Sequence, residues 1–421
     1  MSPPFRIEPG QRPMIAGDPA TFIRAAFEGA PLAPMITERL DALGSDDADP
    51  ARLLELSVLF QLVGEKDRAL LCQQTALAAC PIYRHAGSSP PSLRVLAFSI
   101  AGDLMANMPF ELMIEGRGIE VTKVYLSTDQ PWPVDIPDHD LVIMAIGESD
   151  EARPLLKALA AIETRLPRPI INRASRVLEL ARDRLCERLA GSPGVISPTT
   201  LRLRRSALLK AARDAATGGG ILPGDYPIII RPVGSHAGRA LDRIDSNQAL
   251  EAYLEGEPAE LFYVSPFVDY TGADRLYRKY RIAFFGGRPF ICHMAVSEHW
   301  MVHYLNAGMA ENAAKRAEEA AAMANFDADF VQRHAQGLEA LHARLGLDYF
   351  AVDCAELPDG SLLIFEADVA MVIHDLDPAD LYPYKKPQMR KVFDAFEGFL
   401  RQAAGEANSA GPGIVNQSSA G

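Results

Sequence analysis

Three carboxylates in one short stretch, Asp353, Glu366 and Asp368, could hold a cation. They lie in two apolar runs that flank Pro358-Asp359-Gly360. Asp-Gly is a strong hairpin signal, because both residues of the tightest turn need positive φ. A two-residue Asp359-Gly360 loop sets Asp353 directly opposite Glu366, and Asp368, two residues on, points to the same face. Opposed side chains on paired strands have Cβ atoms ~5 Å apart, and like charges there repel. Hard carboxylate oxygens suit Mg²⁺, which completes its shell with waters and substrate phosphates. The competing reading is a solvated hairpin face, although such faces usually mix charges.

Cations that could meet phosphates lie upstream. The β-rich run Tyr226-Pro-Ile-Ile-Ile delivers Arg231 to a loop containing Gly234, Ser235, His236 and Gly238. Glycines let backbone approach a phosphate, and loop amides supply donors. The stretch lacks the G-x-x-x-x-G-K-[ST] pattern of a Walker A loop, and a plain turn is its bland alternative. Tyr277 to Val296 reads as a second hairpin turning at Gly286-Gly287. Alternation puts Lys279 and Arg281 on one face of its first strand and Tyr280, Ile282 and Phe284 on the other. His299 and His303 have i,i+4 spacing, but no third ligand completes a zinc motif.

These groups need elements to hold them. Residues 18–80 read as helices. Leu53, Leu56, Ser57, Phe60, Gly64, Ala69, Ala76 and Pro81 fall at tetratricopeptide offsets, with Gln73 where an aromatic is usual. No second copy follows in register, so a helical cap or docking module is expected, open to a protein partner or self-association. His85–Pro91 reads as a linker. Runs at 94–98, 121–126 and 141–146, separated by helical patterns, read as buried parallel strands of an α/β layer. Ala101-Gly102-Asp103 is not a dinucleotide fingerprint. Residues 309–345 read as two helices, 388–403 as a closing helix, and 405–421 as a disordered tail.

The totals narrow the class. A chain of 421 residues is expected to hold two or three domains. A net charge of −13 argues against nucleic acid and anionic membrane as partners. Five cysteines without C-x-x-C suggest neither a disulfide framework nor zinc, which fits a reducing cytoplasm. The N-terminus lacks a signal-peptide pattern, and no apolar run is long enough to span a membrane.

An Asp, a Glu thirteen residues later and a further acid or Asn two beyond that make up the pattern Asp353/Glu366/Asp368. It resembles the metal-binding signature of the ATP-grasp superfamily, whose glutathione-synthetase-like and glutamate-ligase-like members are carboxylate–amine ligases acting through an acyl phosphate. Asp368 stands where Asn is usual, and Val369 to His374 replace the usual downstream Pro. The resemblance covers roughly residues 170–400. It implies an α/β and α+β fold with a helical unit at 1–90, a small parallel α/β domain at 91–170 and a two-lobed ATP-grasp domain at 171–404.

The resemblance also implies roles. ATP and two Mg²⁺ ions, with Mn²⁺ as a substitute, are the expected cofactors, with metal on Asp353, Glu366 and Asp368. Arg184 and Arg231 stand where relatives carry phosphate-contacting lysines. Gly234, Ser235 and His236 fall in the glycine-rich lid, and Phe267 and Val268 at the adenine-reading hinge. Asp269 is placed for a ribose hydroxyl. Arg281 matches the Arg that grips the transferring phosphoryl group, with Lys279 replacing an acid. Small-molecule or peptide carboxylates and amines are the implied substrates. A non-catalytic nucleotide-binding scaffold and a small-molecule kinase of the same fold are the alternatives.

Overall fold

The computed structural model describes residues 14–43, 49–85, 90–129, 132, 136–213, 221–235 and 238–405. His236, most of the expected linker and residues 406–421 of the expected tail lie outside the described residues.

The first sheet has six strands: β1 (Met14–Ala16), β2 (Ile82–His85), β3 (Leu93–Ile100), β4 (Ile119–Leu126), β5 (Leu141–Met144) and β6 (Ile170–Ile171). Their order is β1-β2-β4-β3-β5-β6. β3 runs parallel to β4 and β5, and β2 is antiparallel to β4. β3 and β5 are largely apolar because parallel sheets are covered on both faces, whereas β4 carries Glu120, Thr122 and Lys123. β5 is buried along its whole length.

The stretch before residue 90 is not a separate helical body. It supplies β1 and β2 to this sheet, and its helices Pro50–Leu62 and Lys66–Ala79 pack as a hairpin beside it. Gly64, at φ +81°, makes the turn between them. Leu53, Leu56, Ser57, Phe60, Ala69 and Ala76 are buried. Gln73 is buried too, and its amide clamps Gly102, donating to the carbonyl at 3.0 Å and accepting from the N–H at 2.8 Å. An aromatic would leave those backbone groups unpaired. At this position the hairpin is tied to the loop after β3.

β7 (Val195–Ile196) leaves this region and joins the third sheet. The second sheet, order β10-β9-β11-β8, is antiparallel and formed by β8 (Leu201–Arg204), β9 (Ile228–Pro232), β10 (Asp242–Ile244) and β11 (Leu261–Pro266). Helices Arg205–Arg213 and Asn247–Gly256 cover it. Ile228, Ile230, Leu250, Leu254, Phe262 and Val264 give it a core of its own.

The third sheet runs β13-β12-β14-β15-β7, with β12 (Tyr277–Phe285), β13 (Arg288–Ser297), β14 (Tyr349–Glu356) and β15 (Leu362–Asp368). Its core is continuous with that of the first sheet. The closing helix, Lys385–Ala403, seats Phe396 against Phe285 and Tyr349 at ring-centroid distances of 5.3 and 5.7 Å. Asn172, just past β6, seals the seam between the two sheets. Its Oδ1 accepts from the N–H groups of Asp348 and Tyr349, and its own N–H donates to the Asp348 carboxylate.

The chain is thus a mixed α/β fold with one large body and one small lobe. Among the described residues no helix is long and apolar enough to cross a membrane.

Candidate functional site

The β14–β15 hairpin sets Asp353 opposite Glu366 and Ala351 opposite Asp368. The turn differs from the two-residue loop expected. Leu357 donates to the Ser361 carbonyl and Gly360 to the Leu357 carbonyl, each at 2.9 Å, leaving Pro358-Asp359-Gly360 as a three-residue loop. Gly360 sits at φ +84°, the left-handed position that such loops require. The register is then one residue off, until a bulge at Phe365 restores it between Cys354 and Asp353. Two offsets cancel, and the facing pair comes out as the sequence implies.

A matching bulge lies across the sheet. On β12 the register shifts between Arg281 and Ile282, leaving Cys292 unpaired on β13. His293, Arg281, Asp353 and Glu366 therefore form one row across four strands, with a bulge beside it on each flank. Bulges re-aim side chains and recur next to active sites. Here the bulged Phe365 carbonyl accepts from Arg182 at 2.8 Å. Arg182, at the start of helix Arg182–Leu189, also binds the Glu366 carboxylate.

The row is charged and half-buried, with Asp353 its fully buried member. Arg281 grips Asp353 through Nε and Nη2 at 2.8 and 3.1 Å, and Lys279 reaches the same carboxylate at 2.8 Å. Burial alone would raise the Asp353 carboxyl, but Arg281 and Lys279 hold it far below the usual carboxylate range. Burial would likewise lower the Arg281 guanidinium, and Asp353 outweighs it. His293 is driven well below its ordinary value by burial, with Arg281 adding to the effect.

A cleft of about 130 Å³ opens beside this row, walled by the loop after β5, the start of helix Arg182–Leu189, β9 with its following loop, β11 and β15. In the first sheet the chain steps from β3 to β4 on one side and to β5 on the other. The cleft lies past the carboxyl end of β5, beside that switch point, where open α/β sheets bind ligands. Arg182, Arg231, Glu148, Glu366 and Asp368 all line it.

Arg231 donates from Nε to Ser235 Oγ at 3.1 Å and from Nη2 to the Ser235 carbonyl. Among the described residues it has no carboxylate partner. Burial and the nearby Arg182 lower its guanidinium to about 10. Gly234, at φ +76°, turns the loop that lets Ser235 face back to Arg231. On the acidic side, burial raises Glu148 to about 7 against the opposing pull of Arg153, and raises Asp368 to about 6, with Glu366 adding to the effect. Burial would raise Glu366 as well, but Arg182 brings it below its ordinary value.

The expected site residues are therefore only partly gathered. Arg231, Gly234, Ser235, Glu366 and Asp368 line the cleft. Asp353 and Arg281 lie in the row, Lys279 reaches Asp353 from two residues before Arg281, and none of the three is on the cleft surface. Each Arg281 nitrogen makes one bond, Nε and Nη2 to Asp353 and Nη1 to the Val372 carbonyl at 3.0 Å, so the guanidinium is anchored to β14 and to the chain after β15.

Arg184 is a correction. It is exposed, pairs with Glu179 at 3.1 Å and does not line the cleft. Arg182, two residues earlier on the same helix, stands in its place. Phe267, Val268 and Asp269 form the link from β11 to β12, outside this cleft. The Phe267 amide is used by the Pro227 carbonyl at 3.0 Å, and Asp269 is exposed, capping Thr271. His299 and His303 lie on non-helical chain, where i,i+4 spacing brings no shared face.

Glu148 and Arg182 were not picked out from the sequence. Arg182 lies two residues from the chosen Arg184, and that a helix begins at it is shown by the structure alone. Glu148 had only its position after an apolar run.

The acidic oxygens suit a hard cation in part. Asp353 spends its carboxylate on Lys279 and Arg281, whereas Glu366, Asp368 and Glu148 face the cleft, Glu366 paired with Arg182, Glu148 with Arg153, and Asp368 without an ion-pair partner among the described residues. Among the described residues no group of three His, Cys, Asp or Glu side chains is already drawn together around one point.

The sequence matches no protein-family model. The fold is similar to solved structures that include a RimK domain protein ATP-grasp from Sphaerobacter thermophilus, 17% identical over 71% of this chain and 98% of that one, at a TM-score of 0.39. A D-alanine–D-alanine ligase from Bacillus anthracis in complex with ATP is 12% identical over 76% and 100%, at 0.43. VanG, a D-Ala:D-Ser ligase from Enterococcus faecalis, is 14% identical over 73% and 98%, at 0.42. Likeness at this level does not extend to substrate or activity.

Proposed function

We propose that this chain is an ATP-dependent ligase of ATP-grasp type that joins a carboxylate to an amine or another nucleophile. The observation that carries the reading is the pair Arg182 and Arg231 in one cleft with Glu366 and Asp368. Two clustered guanidiniums, one without a carboxylate partner, ask for a polyanion, and a nucleotide's phosphates supply it.

In this reading Arg231 holds a phosphate of ATP while its bonds to Ser235 fix the loop whose amides approach the same anion. Arg182 bridges phosphate and Glu366. Glu366 and Asp368 would hold Mg²⁺, which when bound offsets phosphate charge. Arg281 and Lys279 fix Asp353 in the row behind them, so Arg281 is a positioning residue. A substrate carboxylate oxygen bonds to the γ-phosphorus as the bond to the ADP oxygen breaks, giving an acyl phosphate and ADP. An amine then adds to the acyl carbon, loses a proton and expels phosphate. Glu148, with its raised pKa and its place on the cleft wall, is suited to take that proton.

The test is an ADP-release screen over pooled amino acids, peptides and small carboxylates, with Arg231→Ala and Glu366→Gln as controls. Acceptor-dependent ADP release that both variants abolish supports the ligase. The commitment of Asp353 to two cations favours a second reading, a non-catalytic nucleotide-binding scaffold. Tight ATP binding without ADP release in any pool decides for it.

A further inference from the structure

A second cavity, of about 80 Å³, shares no lining residue with the cleft. It lies between helix Pro19–Phe27, helix Pro50–Leu62, the loop after β3 and the β2–β4 pair. Its walls are tied by side-chain bonds to backbone. Gln61 accepts from Leu104 at 2.7 Å, Gln73 clamps Gly102, and Glu55 accepts from Gly17 at 2.7 Å.

Besides the hydrogen-bonded Ser57 and Gln73, three buried titratable groups line it: Lys123, Glu111 and His85. Lys123 and Glu111 are ion-paired. An ammonium has three donors, and among the described residues Glu111 is the one hydrogen-bond partner of the Lys123 Nζ. His85 is 8% exposed, and its Nδ1 meets the Gly17 carbonyl at 3.1 Å. A carbonyl only accepts, so Nδ1 carries the proton, and the imidazole stays neutral because burial and Lys123 lower it to about 4. Nε2 is then a bare acceptor, and among the described residues it has no partner. A buried polar atom left so is destabilising unless something donates to it.

The missing partner can be described from these groups. His85 asks for a donor, and Lys123 for an acceptor. A lone carboxylate would crowd Glu111, and a lone ammonium would crowd Lys123. A molecule carrying both charges on adjacent atoms leaves the site neutral. Phe22, Leu54, Val58 and Met108 add an apolar wall. One water needs ~10–15 Å³ on this measure, so the cavity takes roughly six heavy atoms.

We propose that this cavity binds a small α-amino acid as its zwitterion, with the carboxylate on Lys123, the ammonium between Glu111 and His85 Nε2, and the side chain against Phe22, Leu54 and Val58. The site is separate from the cleft and does not depend on the chain's being a ligase.

The test is calorimetric titration of the full chain with alanine and glycine, set beside propionate, ethylamine and lactate. Alanine or glycine should bind, and the three single-function or hydroxy analogues at least ~10-fold more weakly. Val58→Phe fills the cavity and His85→Phe removes the acceptor at similar size, and each should weaken alanine binding by at least ~10-fold. Arg231→Ala, in the cleft, should leave it unchanged. No heat with either amino acid at about 10 mM overturns the proposal. So does equal binding of propionate or lactate, or binding that survives Val58→Phe and disappears in Arg231→Ala.

Discussion

At the scale of residues, the site separates cations bonded to a buried carboxylate from one whose partners lie on its own loop. Asp353 is 3% exposed at its side chain and shared by Lys279 and Arg281. Removing one member of a buried pair leaves the others uncompensated, at a cost of ~3–5 kcal/mol. Asp353→Asn should therefore lower the urea midpoint steeply, and Asp353→Leu with Lys279→Met and Arg281→Met should recover much of the loss. A small effect of Asp353→Asn would mean that the three groups do not depend on one another. Arg231 behaves differently. Its partners are on its own loop, so Arg231→Ala should cost ~1 kcal/mol in stability while weakening ATP ~10–100-fold, measured by titration with and without Mg²⁺. Unchanged affinity would take Arg231 out of the nucleotide site.

At the scale of elements, the hairpin that carries the acids was legible in part. Its two strands and the facing of Asp353 and Glu366 follow from apolar runs around Asp359-Gly360. The turn type and the Phe365 bulge do not, because a bulge is set by what the neighbouring helix offers, here Arg182 at the Phe365 carbonyl. Arg184 was misplaced for a related reason. Which of two helix positions faces a cleft depends on where the helix begins, and a residue-type pattern does not fix that phase. Gly286-Gly287 was a clearer signal, and both residues take positive φ between the paired Phe285 and Arg288. The foot of the hairpin supplies a pH test. Glu356 is held by His334 at 2.7 Å, Tyr280 at 2.8 Å and Arg333, and these bring its carboxyl to about 2 from an ordinary 4.5 although burial opposes them. A carboxyl lowered by folding adds stability that is present above about 4.5 and lost as pH falls toward about 2. Discounted for partial exposure, this contribution is ~1–2 kcal/mol. Urea midpoints of Glu356→Gln should fall less steeply than wild type across that window, and parallel curves would remove Glu356 from acid stability.

At the scale of the whole molecule, the small lobe stands apart. The first and third sheets share one core, whereas residues 201–266 have their own. The lobe is joined to the rest by residues 197–200 and 267–276, and it reaches the loop after β5 through Arg202, which pairs with Asp150. That pair is partly exposed, with side chains 24% and 41% accessible, so it is worth at most ~1 kcal/mol and is screened by salt. A lobe with a separate core and, among the described residues, one ion pair to the body outside its two links can hinge as a unit, and a bound polyanion touching Arg231 on the lobe and Arg182 on the body would draw the two together. Hydrogen exchange can test this motion directly. Mg·ATP should slow exchange in β9 and residues 233–235 by at least ~10-fold while leaving β3 and β5 unchanged, because the large body keeps the same core in both states. Arg202→Ala, or high salt with wild type, should speed exchange in the ligand-free lobe without moving the global urea midpoint by more than ~1 kcal/mol. If the lobe and the third sheet instead gain and lose protection together, the molecule opens as one body, and the cleft is a fixed pocket with no hinge behind it.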